Sequence, residues 1–154
     1  MLNNKIDIRV YYEDTDAGGI VYYSNYLKFT ERCRTELLRD LGISQSNLNE
    51  KFGIKFIVHS LSIKYINPAF LDDLLTIETN INNLKKASLD FEQNVYKIKD
   101  NSKIDIISSK CKIVSIDNDN KIKPIPDFII KELNNNIWMD YYLSLIHISE
   151  PTRP

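Results

Sequence analysis

The sequence predicts an α+β fold, a five-stranded antiparallel sheet wrapped around one long helix. Three observations predict it. One strand-like segment precedes a single long amphipathic segment. Four strand-like segments then follow in succession, at the spacing of hairpins. The apolar stripe of the amphipathic segment needs a surface to bury against, and a sheet curled around it supplies one. With 154 residues, 43% of them apolar, the chain is long enough for one domain with its own core. It contains no internal repeat or low-complexity linker.

The first strand is expected over Asp7 to Tyr12, with Ile8, Val10 and Tyr12 on one face. Asp14 to Ser24 reads as a loop and carries the only adjacent glycines, Gly18 and Gly19. The helix is expected over Asn25 to Leu41. Tyr26, Cys33, Leu37 and Leu41 fall on one stripe, widened by Phe29 and Leu38. Ser24 or Asn25 can supply an N-cap oxygen, and Gly42 sits where a C′ glycine belongs. Ser44 to Lys51 reads as a short second helix or turn. Strands follow over Lys55 to Ile66, Leu74 to Leu84, Ser88 to Lys99 and Ile104 to Ile116. The third of these alternates Leu89, Phe91, Gln93 and Val95 at period two. Asp100-Asn101-Ser102-Lys103 is a turn, and Asp117 to Asn120 breaks the last strand. Lys123-Pro124-Ile125-Pro126 then leads into a short helix over Asp127 to Asn134.

The run from Leu143 to Arg153 reads like a translated transposase sequencing adapter. The expectation is one domain over residues 1–142 and a non-native tail over 143–154, set aside from functional reasoning. A natural extension is the plainer alternative.

Composition excludes several function classes. Lys plus Arg number 20 and Asp plus Glu 21, a formal charge of −1. A dedicated nucleic-acid binder carries a basic excess. No apolar run approaches the roughly 20 residues that span a bilayer. Met1 to Lys5 lacks the apolar core of a signal peptide, so a cytoplasmic location is expected. Cys33 and Cys111 are expected to be reduced and buried. His59 stands alone as a histidine outside the tail, and Asp117-Asn118-Asp119 lacks the glycine and distal glutamate of a calcium loop. There is no nucleophile elbow and no phosphate or dinucleotide fingerprint. Neither a metal nor a cofactor is expected.

The chemistry concentrates in Asp14-Thr15-Asp16-Ala17-Gly18-Gly19, just before the helix. A carboxylate beside a helix N-terminus feels the positive end of the macrodipole, which favours its ionised form. The glycines admit positive φ and let a ligand approach the backbone. Unpaired N–H groups in the loop and first turn are donors for an oxyanion. Such parts can hydrolyse an activated acyl group without Ser, Cys or metal. Taken one at a time they also make an ordinary acidic loop with a glycine turn.

The run Tyr12-Glu13-Asp14-Thr15-Asp16-Ala17-Gly18-Gly19-Ile20-Val21-Tyr22, with Asn25-Tyr26, Glu31-Arg32 and Arg34-Thr35-Glu36, resembles the 4-hydroxybenzoyl-CoA thioesterase family. Within that family it looks most similar to the Tol–Pal-associated acyl-CoA thioesterases. The likeness continues through Tyr65-Ile66-Asn67-Pro68-Ala69, Leu71-Asp72-Asp73, Ser88-Leu89 and Lys123-Pro124. It implies a hot-dog fold and a homodimer or homotetramer with the active site at the dimer interface. It places the catalytic carboxylate, base or nucleophile, on Asp16, and the amide that polarises the thioester carbonyl on Tyr23. Some members of that branch have histidine where Tyr23 stands, so a histidine-assisted route does not carry over.

Around these two, Gly19 is a further catalytic candidate, through its backbone. Gly18, Ile20, Val21 and Asn25 are expected to line the substrate site. Lys85 and Lys86 suit the phosphates of CoA. Asp14 is expected to hold the loop through side-chain-to-backbone hydrogen bonds. Glu31 is expected in a structural ion pair or a dimer contact. The expected reaction is hydrolysis of a short-chain or aromatic acyl-CoA. The alternatives are an acyl group on acyl carrier protein, and a non-catalytic acyl-CoA-binding protein.

Overall fold

The computed structural model describes residues 2–135; the expected tail, 143–154, lies outside them. Strand β1 (Leu2–Arg9) is followed by helix α1 (Asn25–Asp40), a short helix α2 (Gln45–Phe52), and strands β2 (Ile54–Tyr65), β3 (Leu74–Asn82), β4 (Ser88–Lys99) and β5 (Ser102–Asp117). Residues 127–135 are helical and form α3. The strands make one sheet in the order β1-β3-β4-β5-β2, and every pairing is antiparallel. Helix α1 lies on the inner face, against β1 and β3.

The sheet is built by alternation. On β3, Leu75, Ile77 and Ile81 point inward and are fully buried; on β4, Leu89, Phe91 and Val95 do the same. Opposite them α1 buries Tyr26, Phe29, Thr30, Cys33, Leu37 and Leu38. Leu41, expected to close that stripe, is only partly buried at the helix end. Gly42 takes φ +78° just beyond, as a C′ residue must to turn the chain off the helix.

The apolar interior falls into two clusters. One surrounds Ile77, Val95 and Ile107 with Tyr26, Phe29 and Cys33. The other surrounds Ile81, Phe91 and Cys111 with Leu37, Leu38 and α3 residues Ile129 and Leu133. Between these rows lies a polar one, formed by the cross-strand partners Asn4, Thr79, Gln93 and Ser109.

Several local expectations are corrected. The first strand spans Leu2–Arg9, not Asp7 to Tyr12, because pairing with β3 recruits the polar start of the chain regardless of pattern. Tyr12 lies in a 3-10 turn and is 83% exposed. Neither Ser24 nor Asn25 caps α1 through a side-chain oxygen. Ser24 makes no such bond, and the Asn25 amide instead donates to the Asp14 carbonyl at 2.7 Å. Ser44 does cap α2, accepting from the Asn47 amide.

Candidate active site

The loop between β1 and α1 is held from both ends. Asp14 accepts the Tyr11 amide through Oδ2 at 2.8 Å, closing the 3-10 turn that redirects the chain after Val10. Its own carbonyl accepts from the Tyr22 amide and from the Asn25 side chain. Thr15 and Val21 form an isolated antiparallel bridge. The loop is thus a miniature hairpin, with Asp16 to Ile20 as its tip.

The tip is organised around the Asp16 carboxylate. Oδ1 accepts the Gly18 amide at 2.9 Å and the Ile20 amide at 3.3 Å. The backbone closes the same turn, with Asp16 N–H donating to Ile20 and Gly19 N–H donating to the Asp16 carbonyl. Both glycines have a reason. Gly19 sits at φ +75°, and a Cβ on Gly18 would stand 3.3 Å from Asp16 Oδ1. The side chain of Asp16 is exposed, and among the described residues Oδ2 accepts nothing. One oxygen orients the carboxylate while the other faces outward.

Helix α1 starts tightly. The amides of Asn25, Tyr26 and Leu27 donate three residues back, to Tyr22, Tyr23 and Ser24. That leaves the preceding N–H groups, those of Tyr23 and Ser24, with no acceptor among the described residues, the usual fate of the first amides of a helical run. The Gly19 amide is occupied within the turn, so Tyr23 and Ser24 offer the open donors.

A second loop, residues 66–73, props up the first. Val21 donates to the Ala69 carbonyl, Leu71 to Gly19, Asp72 to Val10, and Val10 to Asp73. Asp73 accepts the Phe70 amide and the Lys97 ammonium through one oxygen, each at 2.8 Å. The Lys97–Asp73 pair is largely buried, with side chains 12% and 23% exposed. Between the loops opens an apolar groove of about 280 Å³, walled by Ile20, Val21, Tyr23, Tyr26, Tyr65, Ile66, Asn67 and Pro68. Tyr23 and Tyr26 both pack on Tyr65, with ring centroids 6.5 and 6.0 Å away. Burial pushes the Tyr26 hydroxyl up to about 12.

Asp16, Gly18, Gly19, Ile20, Val21, Tyr23 and Asn25 therefore gather in one place. Lys85 and Lys86 do not join them within the chain. They are exposed in the β3–β4 turn, at the end of β3 far from Leu74 and the loop, roughly 25–30 Å along the strand. Glu31 is exposed and makes no ion pair among the described residues. It borders a separate cavity of about 280 Å³ with Arg34, Thr35 and Phe56. Sequence reasoning did not find the groove wall at Tyr65 and Ile66 or the Asp73–Lys97 prop; the doubled aspartate after Asn67-Pro68 was the signal available. Among the described residues no three His, Cys, Asp or Glu side chains gather as a metal site, and no helix is long and apolar enough to cross a membrane.

Comparison with known proteins bears on the same segments. The acyl-CoA thioesterase YbgC of Haemophilus influenzae is 48% identical over 99 residues, 63% of this chain and 73% of that one. A probable thioesterase from Bartonella henselae superposes with a TM-score of 0.71 at 34% identity, over 80% of this chain and 99% of that one. The 4-hydroxybenzoyl-CoA thioesterase of Pseudomonas sp. strain CBS-3 shares the fold, with a TM-score of 0.78 at 20% identity over 86% and 99% of the two chains. The profile of the thioesterase-like superfamily matches residues 10–133. The chain belongs to the thioesterase-like superfamily and has the α+β hot-dog fold expected of it.

Proposed function

We infer that this protein is an acyl-CoA thioester hydrolase, releasing a carboxylic acid and free CoA, with Asp16 as its catalytic carboxylate. The observation that carries the reading is the arrangement at the loop tip. One Asp16 oxygen is fixed by the Gly18 and Ile20 amides, and the apolar groove is walled by Ile20 and by Tyr23, the residue whose N–H stays open.

The chemistry follows from that arrangement. The acyl group lies in the groove, with its thioester carbonyl at the Tyr23 amide. As base, Asp16 takes a proton from water and the hydroxide adds to the carbonyl carbon. The oxyanion is held by the Tyr23 N–H, with the α1 dipole behind it. Collapse breaks the C–S bond, and the leaving thiolate takes the proton back. As nucleophile, Asp16 adds to the carbonyl itself, expels the thiolate, and leaves a mixed anhydride for water to cleave. Rapid quench of a single turnover separates the two, since only the nucleophilic route leaves the acyl group covalently bound to Asp16.

Gly18, Val21 and Asn25 shape the site. Lys85 and Lys86 hold CoA phosphates contributed across a subunit boundary, because within one chain they are too distant. The working form is a cytoplasmic homo-oligomer, dimer or tetramer, with the site at the dimer interface. Domain limits of 1–142 remain part of this reading. Asp16→Asn keeps shape and removes the base, and its kcat on an acyl-CoA panel should fall about 10²- to 10⁴-fold with an unchanged melting curve. Parental turnover by that variant defeats the assignment. An acyl-carrier-protein substrate is the second reading; competition between the two carriers decides it.

A further inference from the structure

The polar row across the core has a feature that packing alone does not require. Gln93 is 1% exposed, and Thr30 and Thr79 are fully buried. The Gln93 side-chain amide donates to the main-chain carbonyl of Thr30 in α1 at 2.9 Å and to Thr79 Oγ1 in β3 at 3.0 Å, while its oxygen accepts from Arg34 of α1 at 3.0 Å. One side chain of β4 thus grips the helix twice and the neighbouring strand once. It does so at the seam between the two apolar clusters. On either side of that seam lie the two apolar clusters, whose contacts are non-directional and tolerate sliding. A buried hydrogen bond tolerates little, because an unmade one leaves a desolvated polar group. The Thr30 hydroxyl is not available for the task, since it donates back to Tyr26 and Leu27.

The consequence lies at the helix N-terminus. Thr30 is five residues from Asn25, roughly 7–8 Å along the axis. The open amides of Tyr23 and Ser24 come just before. The Asn25 side chain in turn holds the Asp14 carbonyl, so the axial position of α1 sets both the oxyanion donor and the loop that carries Asp16. We infer that Gln93 is a positioning residue for the reaction, fixing the axial register of α1 on the sheet and with it the Tyr23 N–H relative to Asp16. The kinetic part of this inference rests on the thioesterase reading above. The geometric part does not.

The test compares Gln93→Leu, which releases the helix, with Thr79→Val, which cuts the strand-side bond and leaves the helix grip. Both variants should melt at lower temperature. Gln93→Leu should lose kcat ~10- to 100-fold, the scale of an ångström-sized misplacement, with KM near parental, and the amide resonances of Tyr23 and Ser24 should shift. Thr79→Val should keep parental kcat and parental resonances. Gln93→Glu retains an acceptor for Arg34 but has no donor for Thr30, so it should lose kcat as Gln93→Leu does. It replaces that variant if the leucine chain does not fold. Parental kcat with unmoved Tyr23 and Ser24 resonances in the Gln93 variant overturns the inference, and so does an equal loss of kcat in Thr79→Val. If the parental protein turns over no acyl-CoA, the thioesterase reading fails by itself, and the resonances still decide the positioning role.

Discussion

At the scale of single residues, the site depends on what each side chain has left over after folding. Asp16 commits one oxygen to the turn and keeps one. Asp14 faces the loop interior and serves the backbone. This division between two nearby aspartates was legible in the sequence only through the family resemblance, which places the carboxylate on the second; the residue pattern by itself does not choose between them. Asn25 was read as a cap acceptor and became a donor, because the tight start of α1 satisfies its own first turn through main-chain bonds. Buried thiols and a buried phenol contribute to the alkaline limit of the fold; Cys111, like Cys33, is pushed up by burial. Burial raises the Cys33 thiol from its usual 9 to about 11 and the Tyr26 phenol from 10 to about 12. The folded state holds these protons more tightly than the unfolded chain does. The stability they contribute is therefore complete below pH 9 and is lost as pH rises through 11 and 12. Melting temperatures measured from pH 8 to 12 should stay level to about 9 and then fall. The Tyr26→Phe variant, with no phenol to ionise, should fall less steeply above pH 10. A profile as steep as the parental one removes Tyr26 from this account.

At the scale of elements, the sequence pattern placed the long helix, two short helical segments and four of the five strands to within a few residues, β1 being the exception. Strand β4 was read correctly at both ends because its alternation begins at a buried Leu89 and its far end runs into Asp100 and Asn101, whose φ values of 51° and 63° form the hairpin turn. Strand β1 was misplaced because an edge strand draws its pairing from its neighbour. The 66–73 loop was the harder case. Its role is to carry hydrogen bonds between segments far apart in sequence, and no local pattern encodes that. Its anchor is Asp73, which joins the Phe70 amide to Lys97 in a largely buried pair. Asp73→Asn removes the charge while keeping the amide acceptor, and leaves Lys97 buried without its counter-ion. It should cost about 2 kcal/mol of unfolding free energy by urea titration. It should also raise KM more than it lowers kcat, because the loop it frees walls the groove but carries no reacting atom. Unchanged stability shows that Lys97 finds another partner and that the prop is dispensable.

At the scale of the whole molecule, the two edges of the sheet differ. Strand β1 presents exposed Asn3, Lys5, Asp7 and Arg9, a charged edge that discourages pairing. Strand β2 is the other edge, twelve residues long, and along it Ile57, Val58, Leu61 and Tyr65 are 39–51% exposed. A long edge strand with exposed apolar side chains seeks a partner, and a second copy meeting it about a two-fold axis is the self-complementary solution. Such pairing brings the start of one β2 beside the end of the other, where Tyr65 walls the groove. Assembly about that axis would then be coupled to turnover. The parental protein should sediment at two or four times its monomer mass at micromolar concentration. The double variant Val58→Lys, Leu61→Lys places two positive charges on the edge of each copy and should shift it to the monomer. If the groove is completed across the two-fold, that monomer should also lose most of its thioester hydrolysis while Asp16 and its loop stay intact by amide spectra. A parental monomer, or a lysine variant that is monomeric and fully active, would sever assembly from catalysis and leave the groove as a site within one chain.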